Sequence, residues 1–135
     1  MLMKKGSRGV ALIEFALILP LLITLIFGTI EMGWLLFVRI QMTSAVQEGV
    51  RFITSDEGQT SSSTTTYVKS RLQSLGVQSS HTTVAVSPND VSTAYRGDPI
   101  AVSISIPAID VTLINFPIDV SSTTLSVSAT AAKEY

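Results

Sequence analysis

From Val10 to Ile30 almost every position is apolar, and Glu14 is the one charge in that run. At the standard helical rise this stretch is about 31 Å long, a match to a hydrocarbon core of about 30 Å. The pattern predicts a membrane-spanning helix. If the membrane ends at Ile30, Glu31 lies at its outer boundary and Trp34 in the aromatic belt. The apolar run can also be followed to Val38, with Arg39 marking the exit and tilt absorbing the extra length, which gives a transmembrane segment of 10–38. Pro20 and Gly28 fall inside it; both are tolerated in lipid, and Pro20 removes a backbone donor, so a bend or unwound turn is expected there.

Beyond Arg39 the apolar positions thin to a stripe. Met42, Val46, Gly49, Val50 and Ile53 share one helical face, and Gln41, Ser44, Glu48, Arg51 and Ser55 share the other. Residues 39–55 therefore continue the helix in amphipathic form, to a total of about 70 Å. Glu48 and Arg51, three apart, are placed to pair on its exposed face. The Ser/Thr-rich stretch 56–66 reads as a loop. Tyr67 to Leu75 has Val68, Leu72 and Leu75 at helical spacing, with Gly76 as the cap.

The period then changes to two. Val84 and Val86 share a face of a short strand, Ile100, Val102, Ile104 and Ile106 share a face of a longer one, and Leu125, Val127 and Ala129 alternate in a last strand. Val111 to Ile118 fits either a strand or an apolar connection. Strands with one polar face predict an antiparallel sheet covered by the amphipathic helix. The expected fold is α+β: a long amino-terminal helix packed on a small antiparallel head, 67–135, with one short extra helix.

Charge adds direction. The chain has nine Lys and Arg and ten Asp and Glu, and Lys4, Lys5 and Arg8 crowd the first nine residues. A basic flank before an apolar helix keeps that end in the cytoplasm and exports the other, so residues 1–9 read as a cytoplasmic leader. Topology alone explains these cations, and no nucleic-acid partner is implied. An ordinary signal peptide would end in a small-residue cleavage site after a shorter apolar run; none is convincing here, so the segment stays with the mature protein.

There is no cysteine, which removes thiolate zinc and thiol nucleophiles, and an exported head without disulfides must rely on packing or partners. His81 reads as a solvated loop residue, and Asp90, Asp98, Asp110 and Asp119 as turn carboxylates without calcium-loop spacing. No catalytic constellation, cofactor motif or metal-ligand spacing is present. An enzyme is not expected.

Glu14 calls for a function, because a carboxylate inside a membrane helix is costly unless paired. Its setting is Arg8-Gly9-Val10-Ala11-Leu12-Ile13-Glu14-Phe15-Ala16, followed by Leu19-Pro20-Leu21-Leu22, Gly28 and Ile30-Glu31-Met32-Gly33. Ser44-Ala45-Val46-Gln47-Glu48-Gly49-Val50-Arg51 completes the set. Over residues 8–54 the chain resembles the TadE-like pseudopilins of tight-adherence (Tad/Flp) pilus systems, with Ser44 where the family has alanine.

The resemblance implies a minor pilin cut by prepilin peptidase between Gly9 and Val10, the glycine allowing close approach of an extended backbone. It implies that Glu14 and Phe15 act in processing or subunit docking, Glu14 neutralising the new amine on Val10 of an adjacent subunit. The implied partners are prepilin peptidase, other pilins and minor pilins, the inner-membrane assembly platform and the bilayer. The implied setting is a single-pass inner-membrane protein with its head in the periplasm or outside the cell, acting in adherence and biofilm formation. The alternatives are a type IV pilin or type II secretion pseudopilin, whose Phe-Thr-Leu-Ile-Glu pattern is met here only in Leu12-Ile13-Glu14, and an uncleaved signal-anchored envelope protein with a binding head.

Overall fold

The computed structural model describes residues 7–55, 58–77, 80–114 and 119–134. One helix, α1, runs from Ser7 to Ser55, and a second, α2, from Ser61 to Ser74. Strands β1 (Thr83–Ser87), β2 (Pro99–Pro107) and β3 (Thr124–Ala132) form an antiparallel meander in the order β1-β2-β3. The fold is α+β, as the patterning predicts. Lys4, Lys5 and Ile118 lie outside the described residues.

The period-two stripe of β2 builds the core. Ile100, Val102, Ile104 and Ile106 are all fully buried, each favouring the folded state by about 1.5–3 kcal/mol. Register sets Val102 between Val86 and Ala129, and Ile104 between Val84 and Val127. Helix α1 packs over β3 and β2, and α2 over β1, so both helices lie on one face of the sheet. The opposite face carries Ser103, Ser105, Ser126 and Ser128.

On α1 the stripe of Met42, Val46, Val50 and Ile53 is buried as expected. Gly49 is where the two helices come closest: a Cβ there would lie 2.3 Å from Val68 Cγ2 of α2. Only glycine permits this spacing. The buried face also extends further back than the pattern suggests, through Val38 to Glu31. The head thus covers one face of α1 from residue 31 onward, while Leu36, Phe37 and Ile40 on its other side stay exposed. The helix is continuous through Pro20, with no unwound turn.

The loop expected over 56–66 is also corrected, because α2 starts at Ser61. Thr60 and Ser63 form a reciprocal capping box, with Ser63 N donating to Thr60 Oγ1 at 3.1 Å and Thr60 N to Ser63 Oγ at 2.9 Å. The hydroxyls of Thr64, Thr65 and Thr66 then donate to the carbonyls of Thr60, Ser61 and Ser62. Thr64 is fully buried in line with Val68 and Leu72. Capping and burial here outweigh weak helix propensity. At the other end Gly76 has φ +83° and the chain closes as a Schellman turn, Val77 N to Leu72 O and Gly76 N to Gln73 O.

After β3 the chain is tied back. Lys133 Nζ donates to the carbonyls of Val91 and Ala94 at 3.1 and 2.8 Å, and Glu134 N donates to Thr54 O at the end of α1.

Candidate assembly and membrane surface

Among the described residues, the first half of α1 has no packing partner in its own chain. Every residue from 9 to 30 is exposed except Thr24 and Gly28, which are half-buried. Leu12, Ile13, Leu17 and Leu21 are each about two-thirds exposed or more. A helix that is apolar all round and uncovered needs an apolar medium or partner helices. Among the described residues this is the one helix long and apolar enough to cross a membrane.

Gly9 and Val10 lie in the first described turns of this helix, both exposed, so the bond between them is helical rather than part of an extended leader. A Cβ at Gly9 would meet nothing. Glu14 is one turn beyond Val10 on the same face, also exposed, and Phe15 projects beside it. Arg8 is in the same helix.

Glu31 and Trp34 make contacts that their place in the apolar run does not announce. Glu31 is fully buried, and its carboxylate accepts from the successive amides of Leu113 and Ile114 at 3.2 and 3.1 Å. Trp34 Nε1 donates to Val111 O at 2.6 Å, and its ring stacks on Phe37. Together they clasp the segment after β2, which is a short 3₁₀ turn, η2 (Ala108–Asp110), followed by irregular chain and not a strand. Two successive amides aimed at one carboxylate form an anion-binding nest. Nothing in local sequence pairs residue 31 with residues 113 and 114.

Glu48 does not pair with Arg51 but with Arg71 of α2, through Nε to Oε2 at 2.6 Å and Nη2 to Oε1 at 2.9 Å. The guanidinium fork fits a carboxylate held across the helix pair, a geometry that an i,i+3 neighbour does not offer. The hydrogen bond and charge of Glu48 raise the Arg71 pKa. One turn along the same side of the helix pair, Phe52 and Tyr67 stack with centroids 4.5 Å apart.

The aspartates close turns. Asp90 caps a second 3₁₀ turn, η1 (Val91–Thr93), and its pKa is lowered by the Ser92 hydroxyl and then by the Ser92 amide. Asp119 is lowered mainly by the Ser121 amide. Asp98 accepts from Tyr95 N, and Asp110 lies 2.8 Å from His81 Nδ1, a contact the sequence does not announce. Among the described residues no three His, Asp or Glu side chains converge as a metal site.

With this geometry in view, comparison with protein families is decisive for the helix: residues 9–51 match the family described as TadE-like protein. The chain carries a TadE-like helix. Its match begins at Gly9 and ends just past Gly49, the glycine that α2 requires. The TadE-like assignment supports a role as a minor pilin associated with a Tad pilus and its other components. The long apolar helix is compatible with a single-pass membrane protein. Comparisons with curated proteins and with solved structures give no match.

Proposed function

We propose that this chain is a non-enzymatic minor pilin, cut by prepilin peptidase between Gly9 and Val10 and then used in Tad/Flp pilus assembly for adherence and biofilm formation. The observation that carries this reading is the TadE-like match lying on one unbroken helix whose first half has no packing partner among the described residues. In this reading lipid covers that half before assembly, and neighbouring pilins cover it afterwards. The membrane is the bacterial inner membrane, crossed once, with Lys4, Lys5 and Arg8 on the cytoplasmic side and the head periplasmic or extracellular.

Gly9 fits the cut site because nothing in the chain itself demands glycine there, so any demand comes from an outside partner. Cleavage creates an amine on Val10. Glu14 is the single charge between residues 9 and 30, and it neutralises that amine on an adjacent subunit during docking, beside Phe15.

Intact-mass measurement of the protein from cells containing the peptidase should show loss of residues 1–9, and Gly9→Leu should retain them. Glu14→Gln should impair processing or docking while the head folds normally. An intact amino terminus in the unsubstituted protein would overturn the reading and favour an uncleaved signal anchor.

A further inference from the structure

We propose that the head segment 109–114 seats in the interfacial layer of the bilayer, on the exported side, with Glu31 as the residue that positions it. The proposal rests on the reading of α1 as a membrane span and adds a second point of lipid contact, made by the head.

Three observations converge on this segment. First, the head's exposed large apolar side chains, Tyr95 apart, are gathered there among the described residues: Ile109 is 40%, Leu113 53% and Ile114 43% exposed. Second, the clasp fixes its direction. The Val111 carbonyl meets Trp34, whereas the amides of Leu113 and Ile114 meet Glu31. The segment thus descends α1 by about 4.5 Å towards the uncovered apolar half. Leu113 and Ile114 are then level with the point where about 31 Å of apolar helix, counted from Val10, has just ended.

Third, the amides at the tip are already bonded within the protein. A backbone that enters a water-poor layer must have its amides bonded within the protein. Glu31 supplies an acceptor for both amides at the tip, and in return they bond both of its oxygens. The Trp34 N–H is likewise taken by the protein, and its half-buried ring packs against the core and Phe37. A soluble neighbour would not need this satisfaction, because water could provide it. The exposed apolar tip is also continuous with the lipid-facing surface of α1 through Ile30 and Met32, both about half exposed. The occupant that fits is lipid.

The absence of native cysteine permits a direct test. Nitroxide labels are placed on Leu113→Cys, Ile114→Cys, Ile18→Cys and Ser128→Cys, each in the full chain reconstituted into phosphatidylethanolamine/phosphatidylglycerol vesicles. Power saturation then compares access of oxygen with access of a water-soluble nickel chelate. Labels at 113 and 114 should show an oxygen-to-nickel ratio severalfold above that at 128 and below that at 18. Adding Glu31→Ala should drop the ratio at 113 towards that at 128 and leave 18 unchanged, while Glu31→Gln, which keeps one acceptor oxygen, should preserve part of it. Labels at 113 and 114 that match 128, or that are shielded from both reagents by protein, overturn the proposal while a lipid-exposed label at 18 leaves the membrane span standing. A nickel-accessible label at 18 overturns the span and the proposal together.

Discussion

The two halves of α1 are one helix in opposite surroundings. Among the described residues, 9–30 present large apolar side chains on all sides with nothing packed over them, whereas 31–55 bury one face against a sheet and a second helix. The backbone is the same; what differs is how densely the circumference is covered with apolar groups. All-round coverage specifies an apolar environment, and a stripe specifies a folded neighbour. The change falls at Glu31, a buried charge that belongs to the second half by its bonds and to the first by its position in the apolar run.

This contrast is most exposed to failure at Gly49. Gly49→Leu should abolish cooperative unfolding of the head, because Val68 leaves no room for even a Cβ. Gly49→Ala should cost about 1–3 kcal/mol despite better helix propensity, with part recovered in combination with Val68→Ala. Unfolding of the full chain in detergent micelles, followed by near-ultraviolet circular dichroism, measures both. A neutral Gly49→Leu would mean that the second half does not pack as described.

Glu31→Ala tests the junction. Leaving the amides of Leu113 and Ile114 without their acceptor should cost about 1–3 kcal/mol. Amide exchange should quicken at those two positions while the β2 amides keep their protection. In the first half, Leu17→Ala should change head unfolding by less than about 0.5 kcal/mol, since Leu17 touches nothing that the head contains. A larger effect would show that the halves are coupled.

Much of this arrangement is legible from period alone. The stripe Met42–Ile53 and the alternation Ile100–Ile106 each repeat often enough to name the buried face, and both are buried. The Gly76 cap is equally readable, because a positive φ at a helix end selects its residue. What escapes is of two kinds. The Ser/Thr run at the start of α2 looks like a loop by composition, and its helicity depends on hydroxyl-to-carbonyl bonds that composition does not count. The clasp at Glu31 and Trp34, and the Glu48–Arg71 pair, join residues far apart in sequence, so no local pattern carries them. Glu31 is visible in advance only as a charge at an odd place. Gly9, Glu14 and Phe15 are the reverse case: motif places them on the exposed helix, and the fold of the chain itself makes no use of them.

The bond from Glu134 N to Thr54 O has a practical reading for anyone who wishes to see this protein in a cell. It brings Glu134 to the far end of α1, about 35 Å along the helix from Glu31. A fluorophore attached at Glu134→Cys would therefore stand at the pole of the head remote from the uncovered apolar half of α1. Such a reporter would follow the head without standing between that half and whatever gathers around it.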